Sequence, residues 1–266
     1  MQPGLYTDIS AKEYHGLPIE IVSNSYLSRL DKTPAHTRVK QEETPALIFG
    51  RAVHSYVLEG AEAFFKEFAV PPSVERRTKE GKEMEIWSQF QLANSDKALI
   101  AEEEFVKITE INDSVRNHPT AGLWLANGIS EQTAIWRDEE TGIMCKCRPD
   151  RNPLNGVLLD LKTTDNAGEY EFGQSIKYYG YARQGAFYTE GVSKATGNKH
   201  DAFAFIAVEK KAPYRCEVYV LSPEYMAWGW TQVHRLLRTE KECREKGKWV
   251  NYQNAGAADV LLPGYL

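Results

Sequence analysis

The segment Val157-Leu158-Leu159-Asp160-Leu161-Lys162 constrains this chain more than any other, because it reads as a buried strand and yet carries two charges. Successive side chains of an extended strand point to opposite faces, so Asp160 and Lys162 share one face and Leu159 and Leu161 the other. Taking a carboxylate and an ammonium out of water costs several kcal/mol unless each finds a partner. A structural ion pair, or a sheet edge open to solvent, satisfies an isolated pair of this spacing. Asp150 shifts the balance. It ends the preceding extended stretch just before the turn Asn152-Pro153-Leu154-Asn155-Gly156, and the fold-back lands it beside Asp160. Two adjacent carboxylates repel unless a cation lies between them, and oxygen ligands favour a hard ion, Mg2+ or Mn2+. Lys162 near such an ion is suited to stabilise a hydroxide and the charge that develops in phosphoryl-transfer chemistry.

The surrounding pattern predicts an α/β fold: a mixed central sheet with an antiparallel three-strand meander, flanked by helices. Residues 1–120 form a helical front half. Ser23-Asn24-Ser25 is an N-cap cluster for a helix carrying Tyr26, Leu27 and Leu30, interrupted at Pro34. A second helix over 47–58 places Leu47, Gly50, His54 and Val57 or Leu58 on one face, and Gly50 there either lets the helix approach the sheet or is simply tolerated. The charged stretch 75–90 turns helical near Glu83, and 102–117 shows Phe105, Ile108, Ile111 and Val115 as an apolar stripe. In the α/β half, 121–266, the period changes to two. Strands are expected over 131–137, 143–150 and 157–162, then a helix over about 173–190, strands 202–208 and 214–221, and a last helix from Pro223 to about Lys246. No repeat or linker divides the chain, which is read as a single domain over 1–266.

At 266 residues, 42% apolar and 26% charged, the composition excludes disordered and fibrous classes. The apolar runs 157–161 and 202–208 are far shorter than the roughly 18 residues of a membrane span, and the first residues lack a secretory pattern. The expectation is a cytoplasmic protein with no membrane partner, whose four cysteines are free thiols. Cys145-Lys146-Cys147 is a weaker match to zinc ligation than paired CxxC motifs. A net charge of −5 argues against nucleic acid coating the whole surface but leaves room for a local basic groove. Arg76, Arg77, Lys79 and Lys82, interleaved with Glu75, Glu80 and Glu83, are the candidates, with a solvated charged face as the plain alternative. Lys146 and Arg148 are a second possible track for the polyanion.

The order Asp150, short turn, Asp160-Leu161-Lys162 in an antiparallel meander resembles the PD-(D/E)XK nuclease superfamily. Ser23-Asn24-Ser25, Pro34-Ala35-His36, Phe49-Gly50-Arg51-Ala52-Val53-His54, Arg77-Thr78-Lys79-Glu80-Gly81-Lys82, Cys147-Arg148-Pro149-Asp150 and Gln184-Gly185-Ala186-Phe187-Tyr188 extend the resemblance, from about Tyr14 to about His234, to the RecE-type exonuclease VIII nuclease domains that prophages encode. The resemblance implies a PD-(D/E)XK core in which His54, Asp150, Asp160 and the Leu161 carbonyl hold one or two Mg2+ or Mn2+ ions and Lys162 activates water. It also brings in Gln184 and Tyr188, spaced four apart on the helix after the strand, as site residues. It raises contact of Arg76, Arg77, Lys79 and Lys82 with the DNA backbone. Glu131, at the start of the first meander strand, either faces the metals from the side or lies at an exposed strand end. Ser25 and Arg29 either hold a terminal phosphate or belong to a plain helix N-terminus.

The implied activity is an exodeoxyribonuclease that degrades one strand of linear duplex DNA, 5′ to 3′, leaving 3′ single-stranded tails for recombination. The implied partners are double-stranded DNA ends, a single-strand annealing protein and further copies of the chain in a ring such as a tetramer. Two alternatives stay open: another repair nuclease of the same superfamily, including iron-sulfur versions, for which the cysteine spacing is wrong, and a DNA-end-binding subunit without cleavage.

Overall fold

The computed structural model describes residues 1–40, 42–72, 81–153 and 155–251, with the backbone alone for 81–84. In the front half a short strand β1 (Gly4–Tyr6) and helix α1 (Ala11–Gly16) lead to α2 (Asn24–Lys32), a 3-10 turn (Pro34–Arg38), α3 (Pro45–His54), a π turn (Ser55–Glu59), α4 (Ala61–Glu67), β2 (Phe68–Ala69), α5 (Gly81–Ala93), β3 (Ala98–Leu99), α6 (Glu102–Asn117) and α7 (Pro119–Ala126). The back half runs β4 (Ile129–Ser130), β5 (Thr133–Arg137), β6 (Met144–Cys147), β7 (Arg151–Asn152), β8 (Val157–Thr164), α8 (Glu169–Tyr178), α9 (Tyr181–Thr196), β9 (Ala202–Glu209), β10 (Cys216–Val220) and α10 (Pro223–Lys246). The helix starts are those a cap dictates. Ser23, Thr44 and Ser222 each accept a hydrogen bond from the backbone N–H three residues on, and Pro45 and Pro223 occupy first positions that have no N–H to satisfy.

The meander is present with its middle strand divided. β5 and β6 pair antiparallel, Ala134 opposite Cys147, and β1 covers the far edge of β5. The chain then leaves that sheet at Arg148-Pro149-Asp150 and enters a second one as β7, where Arg151 pairs with Leu159 of β8. Pro149 has no N–H to offer a ladder, which suits the break. The second sheet has the order β10-β9-β8-β7-β4, with β8 and β9 parallel and the other pairs antiparallel.

Strands β8 and β9 separate two apolar layers. On one side Leu158, Phe203 and Phe205 pack with Phe172 of α8, Ala182, Ala186 and Phe187 of α9 and Val233 and Leu236 of α10. On the other, Leu159, Leu161, Ala204, Ile206 and Val208 pack with Ala52 and Val53 of α3 and Ile108, Ile111 and Val115 of α6. Two sequence expectations are corrected here. The helix expected over 173–190 is two helices, because Gly180 takes the left-handed conformation (φ +68°) and turns the chain between α8 and α9. The face expected for the second helix has rotated: Leu47 is exposed, Gly50 looks into open space, and Ala52 and Val53 face the core. Val57 and Leu58 do reach the core as expected, from a π turn that carries the helix on past His54.

Candidate active site

Continuing the β7–β8 register by one residue sets Asp150 opposite Asp160, and the two buried carboxylates meet at the middle of β8. Asp150 Oδ2 accepts a hydrogen bond from the Leu161 N–H at 2.6 Å and faces His54 Nδ1 at 3.3 Å. His54 reaches it from the last residue of α3, just before the π turn. Asp160 Oδ1 accepts from Gln184 Nε2 at 2.5 Å. Its Oδ2 is fully buried and is held by the Lys162 ammonium. The ammonium of Lys162 lies over the Tyr181 ring, 4.9 Å from its centroid. Close approach of α9 to the sheet makes these reaches possible: a Cβ at Gly185 would lie 2.6 Å from Leu221, and one at Gly191 2.3 Å from the Trp136 ring.

Burial and proximity push the charges of this cluster against one another. Burial, and then Asp150, raise Asp160 to about 6 against the pull of Lys162 and His54. Burial works against the charge on Asp150 too, but His54 and Lys162 outweigh it and hold its carboxyl below the usual range. Burial disfavours the imidazolium of His54, yet the Asp150 carboxylate outweighs it and lifts the group to about 9. Lys162 is likewise opposed by burial and carried upward by Asp160, so it stays an ammonium at neutral pH. Glu131 joins from the side. Its side chain is largely covered, burial and then Asp150 push it up to about 7, and its Oε2 pairs with Arg148 Nε at 2.5 Å. Its backbone is left-handed (φ +58°), a conformation that costs a non-glycine residue on the order of 1 kcal/mol or more. The side chain is thus held by Arg148 within reach of the Asp150 charge, not left at an exposed strand end.

This arrangement of Asp150, Asp160 and Lys162 is joined by a match in sequence to the PDDEXK-like domain of unknown function (DUF3799) over residues 23–261. The chain belongs to that family. No curated protein matches the sequence. Among solved structures, one from Eubacterium rectale, described provisionally as an exonuclease, superposes with a TM-score of 0.59 at 18% identity, covering 90% of this chain and 87% of that one. The likeness shows the shared fold. An alkaline exonuclease from Laribacter hongkongensis overlaps with a TM-score of 0.30 at 16% identity, over 64% of this chain and 87% of that one.

Within this PDDEXK-like domain the donor chemistry fits a hard divalent cation: two buried carboxylates, a backbone carbonyl at Leu161 and an imidazole. Among the described residues no three His, Cys, Asp or Glu side chains converge as a ready ligand cage. The reason is visible in the pairings, since His54 and Lys162 hold the carboxylates that a cation would take.

The remaining candidates divide. Tyr188, one turn beyond Gln184, packs its half-buried ring edge-on against Phe203, and its carbonyl accepts the Cys147 thiol. Arg76, Arg77 and Lys79 lie outside the described residues, as does the side chain of Lys82 in the first turn of α5. Ser25 is exposed with its Oγ 2.9 Å from that of Ser23, and Ser23 is the cap of α2. Arg29 lies over the Tyr26 ring with a buried Nε that makes no hydrogen bond. The second polyanion track fails. Lys146 is buried, donating to the Tyr14 carbonyl, and Arg148 is committed to Glu131, the Ile9 carbonyl and Thr133. All four cysteines are buried free thiols. Sequence reasoning missed Arg183, which ties α2 to α9 through Asp31, Ser28 and Asn24 immediately beside Gln184. A charged residue inside the apolar run Ala182–Phe187 was the signal for it.

Proposed function

We propose that this chain is a metal-dependent exodeoxyribonuclease of the RecE type, acting on the ends of linear duplex DNA. The observation that carries the reading is the buried pair Asp150 and Asp160, set opposite each other by strand register, with Lys162 on the same face two residues on. Family membership and fold both support a nuclease. Asp150, Asp160, the Leu161 carbonyl and His54, with Glu131 from the side, would hold one or two Mg2+ or Mn2+ ions. Such an ion supplies a nucleophilic water at neutral pH and neutralises charge on the phosphate. Lys162, carried upward in pKa by Asp160, keeps its proton and sets a positive charge against the attacking oxygen and the phosphate. Gln184 fixes the orientation of Asp160 through its amide, and Tyr188 on the next turn walls the site.

The finer parts of the proposal are 5′ to 3′ polarity, release of 3′ tails for recombination, a ring of identical subunits and a single-strand annealing protein that receives the tail. The test is a linear duplex labelled at one 5′ end or one 3′ end, incubated with Mg2+. Early release of 5′ label, retention of 3′ label and an untouched covalently closed circle are expected. Cutting of the circle would favour another repair nuclease of the superfamily, and binding of ends without cleavage in Mg2+ or Mn2+ would favour an end-binding subunit.

A further inference from the structure

The tyrosines at the α8–α9 junction form a continuous series that begins at Lys162 and ends in solvent. Tyr181 lies under the Lys162 ammonium. Tyr179 stacks on Tyr181, centroids 5.6 Å apart and planes 28° apart, and Tyr178 meets Tyr179 edge-on at 4.9 Å and 88°. The inner ring is half-buried, whereas Tyr179 and Tyr178 are 59% and 83% exposed. Large aromatic rings left this open next to a buried charged cluster are unusual, because each forgoes apolar burial. The backbone holds them there. Gly180 adopts φ +68°, and a Cβ at that position would lie 2.6 Å from the Arg183 guanidinium, so the bend that fans the three rings out is built around a glycine and a buried arginine.

We propose that Tyr178 and Tyr179 are a stacking track for unpaired bases of the nucleic-acid strand whose phosphate lies at Lys162, an assignment that rests on the nuclease reading. Base faces are covered by their neighbours in a duplex, so only a strand separated from its complement offers them to a ring. Charge points to the same occupant: Lys162 stands at the inner end of the series, as a polyanion requires. Tyrosines tolerate every base, so the track grips without selecting sequence, as an enzyme that moves along a strand needs.

The experiment compares wild type with a Tyr178→Ala/Tyr179→Ala double variant, a Tyr178→Phe/Tyr179→Phe double variant and Tyr170→Ala, which removes an equally exposed tyrosine of α8 outside the series. Kd is measured in Ca2+ by anisotropy for a short single-stranded oligonucleotide and for the same backbone with abasic sites. The double alanine variant should bind the normal oligonucleotide about tenfold or more weakly, and bind the abasic one as wild type does. The double phenylalanine variant and Tyr170→Ala should match wild type on both. Equal affinity of wild type and the alanine variant for the normal oligonucleotide overturns the track. So does an equal loss on both oligonucleotides, which assigns the rings to the backbone or to a partner protein. Cleavage of linear duplex in Mg2+ by wild type, with oligonucleotide affinity unchanged in the alanine variant, overturns the track and keeps the nuclease. Tyrosine-dependent binding without cleavage keeps the track and overturns the nuclease.

Discussion

The two faces of β8 carry side chains drawn from one eight-residue strand and do opposite things. Leu159 and Leu161 enter an apolar layer against α3 and α6, where burial is favourable and no charge is involved. Asp160 and Lys162 enter the space under α9, where each charge is desolvated and held by the other, by Gln184 and by a second carboxylate from β7's side. The first face contributes stability and asks nothing of chemistry. The second lowers stability, since Asp150 and Asp160 repel across the register, and stores an affinity for whatever positive charge comes between them. An even spacing of two therefore lets one strand anchor the fold and arm the site without either role intruding on the other.

The largest effect that tests this division is expected from Asp160→Asn. The amide keeps the shape of the carboxylate but removes the charge a divalent ion needs, so cleavage in Mg2+ should fall by about a thousandfold or more. Because the variant also removes the repulsion from Asp150, its metal-free melting temperature at pH 7.5 should equal or exceed that of wild type. A clear drop in melting temperature would mean that the pair is a structural ion bridge. Leu159→Ala should invert the pattern, with about 2–5 kcal/mol of folding stability lost to the cavity and cleavage per folded molecule retained, as measured by denaturant unfolding and active-site titration. Lys162→Gln should cost about 2–4 kcal/mol in transition-state stabilisation while Mg2+ affinity, read by calorimetry, is retained or strengthened. Unchanged turnover would remove Lys162 from the chemistry.

The smallest effect is in pH dependence. In the metal-free protein His54 binds its proton more tightly when folded, with the value raised from 6.5 to about 9. Stability from this pairing is therefore complete below about pH 6.5 and is lost as pH rises through 9, by at most about 3 kcal/mol. Thermal melting in EDTA should show that decline between pH 6.5 and 9.5, and His54→Gln should lack it. Parallel curves for wild type and His54→Gln over this window would show that the imidazole and Asp150 are not paired in solution.

Much of this was legible beforehand. β8, β9 and α10 appear within a residue or two of their expected bounds, because short apolar runs bounded by turns mark the two strands and a capped 3.6 period marks the helix. Asp160, Lys162 and Asp150 were legible as a set, since charges inside an apolar strand and at the end of its neighbour have few innocent explanations. The break between α8 and α9 was not, because a glycine in a helical pattern is common and its left-handed turn is fixed only by Arg183 packing beneath it. The face that α3 presents was also misplaced, since Leu47 and Gly50 suggested one line along the helix while packing against β8 took Ala52 and Val53. The basic run at 76–82 lies largely outside the described residues, so its role rests where the sequence left it.

By itself the amino-acid order determined which residues alternate, where helices start, and that two carboxylates and a lysine would have to be buried together. Those are local consequences of backbone geometry and solvation. The resemblance named His54, Gln184 and Glu131 as candidates, but only the tertiary structure decided which charge each answers: His54 meets Asp150 from the end of α3, Gln184 meets Asp160 from α9, Glu131 meets Arg148, and Tyr181 lies beneath Lys162. Each of these contacts joins positions well separated along the chain. Coulomb and hydrogen-bond energies depend on distance in space, and nothing in the spacing of residues along a chain specifies that distance until the layers have packed.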